Sequence, residues 1–207
     1  MPADDLADEY LILVNREHPV GNAEAPSDLT AIRTRMDGRP TQYLRRRAAQ
    51  ALEEMMAEME AQGLLDGREG HAWPFSVTSG YRSCAYQGIL FDTYVEQYRA
   101  QGLSETEAVA RVSRTTARPG ESEHHTGLAV DMHDCLAATV RFEDSPAFAW
   151  LYENAWRFGF ILRYPRGKED ITGYSYEPWH YRYVGRDHAK AIFDAGLTLE
   201  EYVKRGA

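Results

Sequence analysis

The fold assignment rests on one stretch of the chain, Ser122-Glu123-His124-His125-Thr126-Gly127-Leu128-Ala129-Val130-Asp131. It places an imidazole, His124, and a carboxylate, Asp131, on either side of a glycine. In one straight strand an odd offset would put the two side chains on opposite faces, but Gly127 permits a turn or bulge between them. Beyond that turn, Leu128 and Val130 are expected to face the core, and Ala129 and Asp131 to face a metal.

A second stretch, Glu177-Pro178-Trp179-His180, supplies another imidazole and another carboxylate. Pro178 favours an extended conformation at Glu177, so this carboxylate can lie near a metal without binding it. That is the position of a general base. Two histidines, one aspartate and one spare glutamate are what a mononuclear zinc hydrolase requires.

A third stretch, Thr78-Ser79-Gly80-Tyr81-Arg82-Ser83, is followed by Tyr86-Gln87. Gly80 allows a turn at the end of a predicted strand, and Arg82 then projects from a strand-to-helix junction. A guanidinium there suits an anionic carbonyl oxygen or a substrate carboxylate. Taken alone, a single arginine at such a junction indicates no more than a surface ion pair.

Hydrophobic spacing predicts the elements around these three stretches. Because strands and helices do not alternate strictly, it favours an α+β fold, a small antiparallel sheet with helices around it and the metal site on the open face. Residues 1–207 are expected to form a single domain in which 1–10 and 19–40 are largely irregular. The predicted strands are 11–15, 75–79, 128–132, 160–164 and 179–184, and the predicted helices are 41–62, 85–101, 105–113, 146–158, 187–195 and 199–204.

The bulk composition excludes several classes of function. The net charge is −9, with 32 acidic against 23 basic residues, which argues against a nucleic-acid partner. The sequence has no apolar run long enough to span a membrane. Met1 to Glu9 is acidic and lacks the basic and apolar regions of a signal peptide, so either the protein is cytoplasmic or an export segment lies outside this sequence.

The two cysteines, Cys84 and Cys135, each follow closely on a candidate site segment. Two small buried thiols are the favoured interpretation. A disulfide that joins the two segments is the alternative. Zinc ligation is disfavoured because the sequence contains no C-x-x-C pair.

The motifs S-x-H-x-x-G-x-A-x-D, E-x-W-H and S-G-Y-R-S occur in this order with the separations of a known family. Together they resemble the zinc D-alanyl-D-alanine carboxypeptidase family of the vancomycin-resistance (VanY-like) type. That family belongs to the metallopeptidase group that also includes lysostaphin-like peptidases and the Hedgehog signalling domain. The resemblance begins at Leu13 and reaches Tyr202, so it covers most of the chain.

This resemblance implies a role for each matching residue. It implies one Zn²⁺ per chain, with Glu177 as catalytic base and Arg82 as the group that polarises the scissile carbonyl. His125 occupies a variable motif position and is not expected to bind the metal. The implied zinc ligands are His124, Asp131 and His180, and the candidate substrate contacts are Ser122, Gln87, Tyr86 and Ser83.

The resemblance further implies an enzyme that hydrolyses the terminal D-Ala from peptidoglycan stem pentapeptides or their precursors. A D,D-dipeptidase, a carboxypeptidase that accepts D-Lac or D-Ser, and a peptidoglycan endopeptidase are alternatives, and a non-catalytic zinc-binding module is a weaker one. A wall substrate favours an extracytoplasmic location, whereas a precursor substrate would fit the cytoplasm. A monomer is expected.

Overall fold

The computed structural model describes residues 8–22, 24–33, 40–66 and 74–206. Its central feature is a four-stranded antiparallel sheet in the order β3-β4-β6-β5, and a separate antiparallel pair joins β1 to β2. The strands are β1 (Leu29–Ile32), β2 (Gln42–Arg45), β3 (Ser76–Ser79), β4 (Ala129–His133), β5 (Phe160–Leu162) and β6 (His180–Tyr183).

The helices surround this sheet, and the predicted α+β class is confirmed. None of the described helices is both long and apolar enough to cross a membrane. The α-helices are α1 (Arg46–Ala61), α2 (Cys84–Ala100), α3 (Glu105–Val112), α4 (Pro146–Asn154), α5 (Glu169–Thr172), α6 (Arg186–Ala195) and α7 (Leu199–Lys204). Short 3₁₀ turns occupy Asp8–Tyr10, Glu123–Thr126, Val140–Asp144 and Ala155–Phe158.

The core lies between one face of the sheet and α1. Val130 and Met132 of β4 are fully buried there, with Leu52 and Met55 of α1 in the same cluster. Leu128 belongs to this cluster as well, which confirms the predicted inward face of the segment after Gly127. Because side chains alternate along a strand, the residues between these positions point to the opposite face of the sheet.

The predicted strand at 11–15 does not form. Arg182 donates hydrogen bonds to the backbone carbonyls of Tyr10 (2.9 Å) and Ile12 (2.8 Å), so a buried guanidinium takes the place of a neighbouring strand. The side chain of Asn15 then accepts backbone hydrogen bonds within its own turn. Such local bonds compete with extended structure.

Two further boundaries differ from the prediction. Residues 29–32 form a strand inside the segment predicted to be irregular, and the helix predicted from Thr41 begins only at Arg46. The intervening residues 42–45 pair with β1, and Arg45 Nε donates to Asp28 Oδ1 at 3.0 Å beside that pair. Four-residue strands are too short to show a clear alternation in sequence. Residues 1–7, 23 and 34–39 lie outside the described part of the chain.

Candidate metal centre

Three neighbouring strands and one turn build the site. The register places Ser79 of β3 opposite Asp131 of β4, and Asp131 opposite His180 of β6. His124 arrives from the 3₁₀ turn Glu123–Thr126, which Gly127 ends with φ of 67°. This left-handed conformation favours glycine, and the turn predicted at this position is confirmed. One ligand atom each from His124, Asp131 and His180 lies within 4.8 Å of the others, and all three residues are buried.

The hydrogen bonds of the histidine rings decide which nitrogen atoms face the site. His124 Nδ1 lies 2.7 Å from the carbonyl oxygen of Gly80, so Nδ1–H donates and the lone pair belongs to Nε2. His124 Nε2 is 3.3 Å from Asp131 Oδ2, and His180 Nδ1 is 3.0 Å from Asp131 Oδ1. Two imidazole nitrogens and a carboxylate around one point fit Zn²⁺, which binds such donors with an open position left for water.

The charge states of two ligands also fit a metal. Burial, together with the positive charge of Arg82, lowers the pKa of His124 to about 4, so its imidazole is neutral at pH 7. Burial would raise the pKa of Asp131, but His124 and Arg82 hold it well below the usual range. A neutral imidazole and an ionised carboxylate are the forms that bind metal.

His180 differs from His124 in its charge. Burial would lower its pKa, but the neighbouring carboxylates of Asp131 and Glu123 raise it to about 9. Without a cation in the site, the ring is therefore protonated at neutral pH. Metal binding at Nδ1 of His180 would therefore release a proton.

Arg82 provides the positive charge nearest to the ligand atoms. Its terminal Nη2 lies 2.5 Å from Asp131 Oδ2 and 3.0 Å from His124 Nε2. Its Nε donates to Ser79 Oγ at 2.7 Å, and its Nη1 donates to Gln87 Oε1 at 3.3 Å. The guanidinium thus contacts two of the candidate ligand atoms and is also held by Ser79 and Gln87, which are not metal ligands.

Glu177 lies next to the ligands without joining them. Its backbone N–H donates to the carbonyl of Tyr164 (3.1 Å), and its carbonyl accepts from the N–H of His180 (3.2 Å). Its Oε2 is 3.8 Å from His180 Nδ1, and among the described residues its buried Oε1 has no hydrogen-bond partner. Burial raises the pKa of Glu177 to about 8. A carboxyl group with this pKa can both accept and return a proton near neutral pH.

The ligands line a cleft of about 530 Å³. Ser122 lines it too, and its hydroxyl accepts from the N–H of His124 at 3.3 Å. Ser83 caps α2 by accepting from the N–H of Tyr86, whose side chain is exposed. Gln87 is fully buried and bridges Arg82 to the carbonyl of Ala117 (2.7 Å). The described lining of the cleft includes Ser122 but not the other three predicted substrate contacts, whose roles stay predictions.

The other described histidines and the two cysteines lie outside the ligand group. His125 is buried and bridges the backbone, with Nδ1 2.7 Å from the carbonyl of Arg82 and Nε2 3.0 Å from the N–H of Gly120. His133 accepts from the N–H of Cys135 at 3.3 Å. Cys84 and Cys135 are free thiols in the described structure, but both are partly exposed, so their predicted burial is wrong.

Sequence reasoning missed a buried ionic cluster behind the site. Glu123, Arg163 and Arg182 have fully buried side chains, and Glu123 Oε1 accepts from both guanidiniums, at 2.7 and 2.8 Å. Burial would raise the pKa of Glu123, but the two arginines hold it well below its usual range. A local signal was available only for Glu123, a charged residue inside the first motif; its partners lie far along the chain.

The antiparallel sheet, the His–Asp–His group and the adjacent glutamate define a mononuclear metallopeptidase. A family model described as VanY, D-alanyl-D-alanine carboxypeptidase, matches residues 41–186. The D-alanyl-D-alanine carboxypeptidase of Enterococcus faecalis is 40% identical to this chain over 93% of it, and the chain spans 65% of that relative's length. The chain therefore belongs to the VanY family of D-alanyl-D-alanine carboxypeptidases.

Solved structures agree with this assignment. The VanY D,D-pentapeptidase from a VanB-type resistance cassette, a variant in complex with Zn(II), is 37% identical, with a TM-score of 0.72 over 94% of this chain and 99% of that one. VanYB in complex with D-alanine-D-alanine is 36% identical, with a TM-score of 0.77 over 96% and 99%. The LdcB LD-carboxypeptidase is 35% identical, with a TM-score of 0.78 over 95% and 86%.

Proposed function

We propose that this protein is a zinc-dependent carboxypeptidase that removes the terminal D-Ala from peptidoglycan stem pentapeptides or their precursors. The observation that carries the proposal is the buried group of His124, Asp131 and His180 with Glu177 beside it in one cleft. Membership of the VanY family supports the D-Ala-D-Ala terminus as substrate. The chain covers about two thirds of its enterococcal relative, so the activity of the whole relative is carried over here as a proposal.

We assign the metal to His124 Nε2, Asp131 and His180 Nδ1. A zinc ion bound there would act as a Lewis acid on the scissile carbonyl and lower the pKa of water. Glu177 would accept the proton of the attacking water and return it to the amine of the departing D-Ala. Its carboxyl group lies 3.8 Å from His180 Nδ1, and its Oε1 has no hydrogen-bond partner among the described residues, so it is available for both transfers.

Arg82 would donate hydrogen bonds to the carbonyl oxygen as negative charge develops on it. Ser79 and Gln87 each hold one edge of its guanidinium, which limits its movement while leaving it in the cleft. Ser122 lies in the same cleft and is our candidate for the terminal carboxylate of the substrate. The roles of Ser83 and Tyr86 as further substrate contacts belong to the same proposal.

The size of the cleft favours a substrate longer than a free dipeptide. A volume of about 530 Å³ lies within the range that holds drug-sized ligands, roughly 300–1,000 Å³. One wall carries Tyr94, Gln97 and Tyr98 of α2, which offer aromatic and amide groups in addition to the metal ligands. We infer that the residues of the stem peptide before the D-Ala-D-Ala terminus occupy this wall.

Mass spectrometry of digests tests the proposal. The substrates are a UDP-MurNAc-pentapeptide, the corresponding tetrapeptide, free D-Ala-D-Ala and a cross-linked muropeptide, each with chelator, without chelator and with zinc restored. Loss of one alanine from the pentapeptide, abolished in Glu177→Ala, is the expected result. Cleavage of only the dipeptide, the tetrapeptide or the cross-link would replace the proposal by a dipeptidase, an L,D-carboxypeptidase or an endopeptidase, respectively.

We place the activity outside the cytoplasm, because stem peptides of the assembled wall are there. Protease accessibility of the protein on intact cells tests this location, and protection from protease would point to cytoplasmic precursors instead. We also infer a monomer, which light scattering should report as a particle of 23.5 kDa for this sequence.

A further inference from the structure

A second buried carboxylate faces the metal centre from behind. Glu123 Oε2 and His180 Nε2 lie 3.6 Å apart, and among the described residues neither atom has a hydrogen-bond partner. The side chain of Glu123 is fully buried and that of His180 is 5% exposed. Buried polar atoms nearly always pair, and these two atoms face each other. A small approach would bring them into a hydrogen bond.

The carboxylate of Glu123 is fixed in its orientation. Its other oxygen, Oε1, accepts from Arg163 Nε at 2.7 Å and from Arg182 Nη1 at 2.8 Å. Arg163 is held in turn by Glu200 through two hydrogen bonds of 2.6 and 2.8 Å. Rotation of Glu123 would break bonds to two buried guanidiniums, so Oε2 stays directed at His180.

This orientation determines which nitrogen of His180 can bind a metal. A neutral imidazole that donates Nε2–H to Glu123 has its lone pair on Nδ1, the nitrogen 3.0 Å from Asp131 Oδ1. His124 is held in the same manner, since its outer nitrogen lies 2.7 Å from the carbonyl of Gly80. Metal-binding histidines usually donate their second N–H to a carboxylate or carbonyl in this way.

We propose that Glu123 is a positioning residue of the metal centre: it accepts the Nε2 proton of His180 and thereby presents Nδ1 to the metal. The proposal rests on the metal site of the proposed function. Glu123 is not itself a ligand. The buried cluster of Glu123, Arg163 and Arg182 would then orient a metal ligand as well as link segments of the chain.

The substitution Glu123→Gln tests the proposal. The amide oxygen would stay with the two arginines, because both are donors, and this places the amide NH₂ against His180 Nε2. Two donors would then face each other when Nδ1 binds the metal. Zinc affinity, measured by competition with a fluorescent chelator, should fall roughly 10- to 100-fold.

The matched control is Glu200→Gln. Glu200 binds the same guanidinium of Arg163, but no contact between it and His180 is recorded in the described structure. Its zinc affinity should stay close to that of the wild type. Equal zinc affinities for the Glu123→Gln and Glu200→Gln variants would overturn the proposal.

A second measurement needs no variant. Long-range ¹H–¹⁵N spectra of the zinc-loaded wild-type protein, labelled at histidine, should show His180 with its proton on Nε2 and the metal on Nδ1. The reverse assignment refutes the proposal even if Glu123→Gln does not fold. Both readouts follow zinc and not turnover, so an absence of peptidase activity would reject the proposed function while leaving this test intact.

Discussion

Two buried glutamates of the same site should respond oppositely to the same substitution. The pKa of Glu177 is raised to about 8 by burial, whereas two arginines hold that of Glu123 well below its usual range. Burial therefore destabilises the ionised form of Glu177, while the ion pairs stabilise that of Glu123. In the metal-free protein, Glu177→Gln should raise the stability and Glu123→Gln should lower it.

The magnitude for Glu177 follows from its pKa. Between its ordinary value of 4.5 and about 8, the folded state holds a proton that the unfolded state releases, so stability falls as pH rises through this window. One pKa unit corresponds to about 1.4 kcal/mol, which gives a cost of up to about 3 kcal/mol at pH 7. For a chain of this length, 1 kcal/mol shifts Tm by about 2–4 °C, so Glu177→Gln should raise Tm by several degrees.

The magnitude for Glu123 comes from broken ion pairs. Removing one partner of a buried ion pair typically costs about 3–5 kcal/mol, because the remaining charge stays buried. The side chains of Arg163 and Arg182 are both fully buried. Glu123→Gln should therefore lower Tm by roughly ten degrees.

Thermal unfolding followed by circular dichroism in chelator, at pH values from 5 to 9, measures both effects. The Tm difference between Glu177→Gln and wild type should be small at pH 5, grow with pH and level off above about 8. Glu200→Gln serves as a carboxylate control at a residue outside the candidate ligand group. A Glu177→Gln variant that is no more stable than wild type at pH 8, or whose advantage is independent of pH, would show that burial does not raise the pKa of Glu177.

Three other outcomes follow from the site. His180→Ala should lose the metal, so elemental analysis should find less than one zinc per chain; full occupancy would remove His180 from the ligand set. Arg82→Lys should lower kcat roughly 10²- to 10³-fold, the usual effect of losing one oxyanion donor, with zinc content unchanged; kinetics at wild-type level would contradict its role. Gly80→Ala would place a Cβ 2.4 Å from the carbonyl oxygen of Tyr43, so Tm should fall, whereas Gly88→Ala, with an ordinary 3.5 Å contact, should not lower it in the same melts.

The motifs that carry His124, Asp131 and His180 could be recognised in the sequence because each motif is local, and these three residues lie together in the structure. The glycine between His124 and Asp131 predicted a turn or bulge there, and the structure shows a turn in which Gly127 is left-handed. Pro178 likewise indicates an extended conformation at Glu177, which allows this carboxylate to lie near His180 without being a ligand. The catalytic roles of Glu177 and Arg82 stay predictions.

The buried cluster could not be predicted, because its partners meet only through strand register and packing. Glu123 precedes Arg163 by 40 positions and Arg182 by 59 positions. The residues next to either arginine contain no pattern that distinguishes it from an arginine on the surface. The prediction of a strand at 11–15 was wrong for a related reason. The carbonyls there bind Arg182, and no pattern within 11–15 reveals that partner.

The same long-range contacts link the stability of the chain to its metal centre. Arg182 holds the carbonyls of Tyr10 and Ile12, Arg163 holds Glu200 of the last helix, and both guanidiniums meet at Glu123. The two ends of the described chain are thus fixed to the residue that faces His180. Because the two arginines fix the carboxylate of Glu123 directly, replacing either of them would also loosen the orientation of His180. Variants of Arg163 or Arg182 should therefore weaken zinc binding as well as stability, whereas a surface ion pair such as Arg157 with Glu58 should affect neither strongly.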